Sequence, residues 1–342
     1  MRRILAGAAA AVGGTLFAAG CSSSPPGSPG AAGAAAPVTV RLGYLANITH
    51  APALIAVKNG YFTRALGSAG TLRASVFTSG TQETTAILSG QLDAAYVGPN
   101  PAINAWQKSG GTAIKIVSGA AAGGASVVVR PSITSAAQLK GQSLATPSLG
   151  NTQDVALRYW LRRQGLTASA TGGGDVSVRP TAPNSAAVLE FKSGQIAGAS
   201  EPSPYDVEMV QAGGRVLLPE PGVTTVLVVT QPFLSAHPDI VNDLLKANLQ
   251  ALSLIKSSPA RAEAIANAQL AAYTGRPLTA GVLGPAFKEI TFTADPDAAS
   301  LAADAQDAVS VGLLKPVNLD GIFDLGPLNR LLTAAGQPAV SS

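Results

Sequence analysis

Four short polar clusters stand where a chain rich in β-branched runs turns into helical patterns. They are Ser79-Gly80-Thr81-Gln82, Asn100-Pro101, Asn151-Thr152-Gln153-Asp154 and the stretch around Asn47 and Thr49 ahead of Ala51-Pro52. Each reads as a helix start: a Ser, Asn or Thr cap, an acid or amide three residues on, or proline at the first helical position, where its missing N–H costs nothing. Asn184 offers the same signal further along. The first-turn N–H groups of a helix have no intrahelical acceptor, and the aligned peptide dipoles add about half a positive charge there. Every helix needs a cap, so one such motif means little. Several at strand ends in both halves describe a set of donors for a small anion. The ligand-contacting candidates are therefore Asn47, Thr49, Ser79, Gly80, Thr81, Asn100, Asn151, Thr152, Gln153 and Asn184. Glu201, before Pro202, stands at the same rim, where a carboxylate could hold an amine or hydroxyl on the ligand's tail.

These clusters need a scaffold that points them at one place. Short strands alternating with helical patterns predict βα units and a mainly parallel sheet. Strands are expected at Val38 to Tyr44, Leu72 to Phe77, Ala94 to Val97, Ile114 to Ala120, Ser126 to Val129, Ser143 to Thr146, near Val176 to Arg179 and Ile196 to Ser200, and at Val223 to Val229. Helices are expected at Ala51 to Phe62, Thr81 to Leu88, Pro101 to Gln107 and Thr152 to Gln164. From Pro238 the chain is chiefly helical, with Ile240, Leu244, Leu245, Leu249 and Leu252 spaced for one core-facing stripe. The segment Ser89-Gly90-Gln91-Leu92-Asp93-Ala94-Ala95 returns as Ser193-Gly194-Gln195-Ile196-Ala197-Gly198-Ala199, as two similar βα lobes would produce. Trp106 and Trp160 sit at helical spacing with Ile103 and Leu157 and read as packing residues.

The amino-terminal end predicts the cellular address. Arg2-Arg3, an uncharged apolar run and small residues precede Cys21, the single cysteine, in the pattern of an export signal with a lipid-attachment site. Residues 1–20 are expected to be a signal peptide. Residues 21–37, rich in Ser, Pro, Gly and Ala, read as a flexible tether. Beyond them, 38–129 with 227–342 are expected to form one lobe and 130–226 the other.

Composition excludes several classes. The formal net charge is +4, two units of it from Arg2 and Arg3, and no block of like charges follows, so a nucleic-acid footprint is not expected. The two histidines, His50 and His237, lie far apart without cysteine spacing, which leaves no metal site to build and no cofactor implied. Enzyme motifs such as a nucleophile elbow, a phosphate loop or a His-Glu-x-x-His helix do not occur, so the chain is not expected to be an enzyme.

The residues from about Val38 to Val340 are similar to the periplasmic solute-binding proteins of the aliphatic sulfonate, nitrate and taurine ABC importers. The likeness is carried by Arg41-Leu42-Gly43-Tyr44, Ala51-Pro52, Asn59-Gly60-Tyr61-Phe62, Ser89 to Pro101, Leu139-Lys140-Gly141 and Gly150 to Asp154, then by Ala236-His237-Pro238, Ile290 to Thr293 with Asp295-Pro296, and Ile322 to Leu325. That resemblance implies an α/β, type II periplasmic binding protein fold, two lobes joined by a two-crossover hinge that closes on solute. It also implies delivery to an ABC permease with its ATPase subunit, a lipid-anchored place at the outer face of the cytoplasmic membrane or in the periplasm, and action as a monomer. Relatives often carry an acid after the Gly-Gln-Ile step and a tryptophan after Glu-Pro. Here Ala197 and Ser203 stand there; the expected ligand is a small oxyanion, an aliphatic sulfonate first, with nitrate, bicarbonate, taurine or a thiamine-precursor pyrimidine as the alternatives.

Overall fold

The computed structural model describes residues 36–342, so the expected signal segment, Cys21 and most of the tether lie outside the described residues. The strands are β1 (Val38–Leu45), β2 (Gly70–Phe77), β3 (Ala94–Val97), β4 (Ile114–Gly123), β5 (Ala125–Val129), β6 (Ser143–Thr146), β7 (Ser177–Pro180), β8 (Gly198–Pro202), β9 (Arg215–Pro219), β10 (Val223–Thr230) and β11 (Ile290–Phe292). They form two sheets, a six-stranded one in the order β11-β4-β10-β3-β1-β2 and a five-stranded one in the order β7-β6-β8-β5-β9.

The two sheets share one plan. In the first, β1 pairs in parallel with β2 and β3, while β10 runs antiparallel between β3 and β4. In the second, β6 pairs in parallel with β7 and β8, while β5 runs antiparallel between β8 and β9. The repeated Ser-Gly-Gln segments lead into β3 and β8, which hold equivalent positions. Each is a short strand buried throughout.

Strand membership departs from the sequence expectation at both joins. Ala125–Val129, expected to complete the first lobe, belongs to the second sheet, and Val223–Thr230, divided by the expected boundary, lies wholly in the first. The cause is local. Gly123 and Gly124 both take φ +71°, and a Cβ on Gly124 would stand 2.2 Å from the Ile290 side chain, so only glycine makes this turn between β4 and β5. The return passes through Pro219-Glu220-Pro221-Gly222 into β10.

Other differences are smaller. The helix expected over Ala51 to Phe62 is two, Ala51–Lys58 and Tyr61–Leu66, because Gly60 takes φ +65° between them. β9 and β11 have no clear signal in the sequence; each is short and half-exposed or three residues long. Helix Pro238–Ser257 buries Ile240, Leu244 and Leu245 as expected, with Asn248 and Ala251 continuing the stripe while Leu249 and Leu252 are half-buried. It packs into the same core as Tyr44, Leu54 and Phe62 of the first lobe. Among the described residues no helix is long and apolar enough to cross a membrane.

Candidate functional site

Parallel strands deliver their carboxyl ends to one edge, and the helices that follow start there. Five such starts face one another. A short 3-10 turn, Ile48–His50, follows β1; helices Gly80–Leu88 and Pro99–Lys108 follow β2 and β3; helices Thr152–Arg163 and Asn184–Ser193 follow β6 and β7. Asn47, Thr49, Ser79, Gly80, Asn151, Thr152, Gln153 and Asn184 all line a single cleft, which leaves about 30 Å³ to water-sized groups. That is room for a compact head group and little else.

The cleft is built from neutral donors. Asn151 caps its helix by accepting from the Asp154 N–H at 2.9 Å, and its Nδ2 donates to Gln153 Oε1 at 3.0 Å. Thr49 donates to Asn47 Oδ1 at 2.8 Å. The Thr152 hydroxyl, 7 % exposed as a residue, has no hydrogen-bond partner and faces the cleft. A buried hydroxyl without a partner costs about 1–3 kcal/mol, which a ligand oxygen would offset. Among the described residues no lysine or arginine lines the cleft. His50 does, but burial lowers its pKa to about 3, and its Nδ1 accepts from the Leu45 N–H at 3.2 Å, so the ring is neutral.

Three expected contacts are placed elsewhere. Asn100 does not cap its helix: Gly98 does, Pro99 takes the first turn, and the Asn100 amide turns away to donate to the Asp304 carbonyl at 3.1 Å. Thr81 sits half-buried in the first turn of its helix, its hydroxyl 3.2 Å from Ser79 Oγ and off the lining. The capping box expected at Ser79 does not form; Gln82 instead accepts from Thr78, through its N–H at 3.4 Å and its hydroxyl at 2.9 Å. Glu201 is fully buried behind Asn184, whose Nδ2 donates to it at 2.6 Å. Burial, with Asp206 and Glu220 nearby, holds its carboxyl well above the usual range. It supports the wall and does not line it. Trp106 donates to the Asn318 carbonyl at 2.9 Å and Trp160 packs in the core of the second lobe, so both are packing residues.

Sequence reasoning missed Leu45, Thr78, Gly98, Pro147, Pro202 and Thr224 among the lining residues. Gly98 had a readable signal, a glycine between a buried strand and a helix. A Cβ there would stand 2.6 Å from Thr152 Oγ1, so glycine is what lets the two helix starts meet. Gly98→Ala should force them apart, weakening ligand binding at least about tenfold for roughly 1–3 kcal/mol of stability lost to overpacking. Titration beside thermal melting checks it.

Comparison with known proteins agrees with this architecture. Residues 33–271 match the model of the NMT1-like family. No curated protein matches the chain. Among solved structures it is similar to the alkanesulfonate-binding protein SsuA from Xanthomonas axonopodis pv. citri bound to MOPS, at TM-score 0.71 and 18 % identity over 86 % of this chain and 100 % of that one. It is similar also to the periplasmic nitrate-binding protein NrtA from Synechocystis PCC 6803, at TM-score 0.75 and 15 % identity over 88 % and 90 %. A third likeness is to a DszB mutant in complex with biphenyl-2-sulfinic acid, at TM-score 0.63 and 18 % identity over 86 % and 99 %. At such identities the shared property is the fold, that of the periplasmic binding proteins with two α/β lobes.

Proposed function

The chain belongs to the NMT1-like family, and from that premise we propose that it is the solute-binding component of an ABC importer. In this reading a lipid on Cys21 holds it outside the cytoplasmic membrane, and it captures a small oxyanion, an aliphatic sulfonate, between its lobes. The observation that carries the proposal is the meeting of donors from both sheets in one cleft: Asn47, Thr49, Ser79 and Gly80 from the first, Asn151, Thr152, Gln153 and Asn184 from the second. A micromolar ligand requires about −8 kcal/mol. Hydrogen bonds to a charged group contribute roughly 1.5–3 kcal/mol each, so four to six of them suffice without a buried cation. The two crossovers, at Gly123-Gly124 and Glu220 to Gly222, are the hinge about which the lobes close before delivery to a permease and its ATPase subunit. His50, the titratable side chain of the lining, is held neutral, which suits holding a solute rather than breaking its bonds.

Calorimetric titration with alkanesulfonates, taurine, nitrate and bicarbonate tests the reading, and failure of all four to bind would overturn it. Thr152→Val keeps the shape of the side chain and removes the unpartnered hydroxyl. It should weaken the bound anion about 10- to 100-fold, with the melting temperature nearly unchanged. The lack of a basic side chain in the lining favours, as a second reading, a neutral polar heterocycle such as a thiamine-precursor pyrimidine. Adding that pyrimidine to the titration series separates the two.

A further inference from the structure

The polar cleft does not end at its own walls. A second space of about 500 Å³ adjoins it and shares Leu45, Thr78 and Asn184 with it. Its volume is in the range of small-molecule sites, and far larger than the head-group cleft. Resting on the anion-binding reading above, we propose that this chamber holds the tail of the ligand, and that the tail is uncharged and largely apolar. The ligand is then an organic monoanion with a tail of several carbons, and a bare inorganic anion or a zwitterion is the poorer fit.

The wall chemistry carries this. Phe77, Leu270 and Leu278 present apolar groups to the chamber, and Val76 and Tyr273, 38 % and 39 % exposed, are among the few large apolar side chains left open among the described residues. The phenols have their polar ends committed elsewhere: Tyr205 donates to the Ala46 carbonyl at 3.0 Å, and the Tyr273 hydroxyl pairs with that of Tyr44 and accepts from Gln269. What remains of them toward the chamber is ring surface. Among the described residues the charged groups of the lining are Glu208 and Arg276, which stand 3.7 Å apart and neutralise each other, so the chamber offers no net charge to a charged tail. Tyr273, Thr274, Arg276 and Leu278 fall beyond residues 33–271 matched to the family. These residues form the outer wall, and it is where selection among tails would be made.

The test is titration of the full chain with methanesulfonate, hexanesulfonate and taurine. Each buried methylene should tighten binding roughly fourfold, so hexanesulfonate is expected to bind at least about tenfold tighter than methanesulfonate, and taurine no tighter than methanesulfonate. Ser185→Trp and, from the opposite wall, Val76→Trp fill the chamber from exposed positions. Either should weaken hexanesulfonate at least about tenfold while methanesulfonate stays within about threefold, and a melting curve for each verifies folding. Equal binding of methanesulfonate and hexanesulfonate, or taurine binding as tightly as hexanesulfonate, would overturn the chamber assignment and leave the anion-binding reading standing. Silence from every sulfonate, and from nitrate and bicarbonate as well, would overturn both.

Discussion

Replacing Arg158 by alanine should lower folding stability by about 3–5 kcal/mol, the usual cost of stranding one partner of a buried ion pair. Asp154 and Arg158 lie one helical turn apart with side chains 0 % and 1 % exposed, 3.0 Å between Nε and the carboxylate. Both groups are bonded on several sides. Asp154 also accepts from Thr146 Oγ1 at 2.9 Å and from the Gly150 N–H at 2.9 Å, while Arg158 donates to the carbonyls of Ser169 at 2.6 Å and Val178 at 3.1 Å. The guanidinium thus ties helix Thr152–Arg163 to the chain on two sides. Removing it leaves the buried carboxylate without its countercharge, keeping Thr146 and Gly150 as donors, and takes a donor from the carbonyls of Ser169 and Val178. Because the carboxylate also anchors the Gly150 turn that presents Asn151 to Gln153, binding should fall with stability. Urea denaturation reads the first and titration the second. Arg158→Lys restores a charge but reaches fewer acceptors, so it should fall between wild type and alanine. A cost below about 1 kcal/mol for Arg158→Ala would show that the pair does not hold this corner.

Stability should also fall as pH rises from 5 to 8, by roughly 3 kcal/mol or more. Burial raises Asp206 to about 7 and Glu220 to about 8, and it lifts Glu201 and Asp304 well above the carboxylate range. In the unfolded chain these groups lose their protons near pH 4. Between pH 4 and their folded values the native state holds more protons, so stability is fully present below the unfolded pKa and drains away as pH climbs through 7 and 8. His50 works in the opposite sense. Its folded value of about 3 lies below the unfolded one, so its contribution is present above about pH 6.5 and lost on acidification. It opposes the acids only up to about pH 6.5, and above that the carboxyl trend stands alone. Glu220 accepts from Ser200 Oγ at 2.5 Å, a bond the amide oxygen of Glu220→Gln can keep. That variant should match wild type near pH 5 and exceed it at pH 8, as read from denaturation midpoints at the two values. A wild-type midpoint that rises across the range would refute the assignment.

Much of the fold was readable, for reasons that can be named. β3 and β6 were placed to the residue because each is a short, wholly apolar or small run bounded by turn residues. The Asn151 cap formed as read, since an Asn before a helix needs only its own backbone three residues on. The Asn100-Pro101 signal misled because Pro99 competes for the first turn and starts the helix earlier. The Ser79 box failed because Gln82 found donors in Thr78. β5 was assigned to the wrong lobe because a run of valine is equally at home in either sheet, and its partner is chosen by the turn at Gly123-Gly124. The Arg158 network was invisible for a related reason. Its acceptors at Ser169 and Val178 come from a loop and a strand whose positions no local pattern encodes.

By itself, then, the sequence determined which segments become strands and helices, and that polar caps stand where strands give way to helices. Those are local preferences, written within a few residues by side-chain shape and by the unpaired amides of a helix start. The tertiary structure alone decided that caps from two separate sheets meet in one cleft, that Gly98 must be bare to let Thr152 approach, and that Tyr273 and Arg276 close a chamber beside it. Distance between residues remote in sequence is set by packing the whole core at once, and no single stretch of the chain carries it.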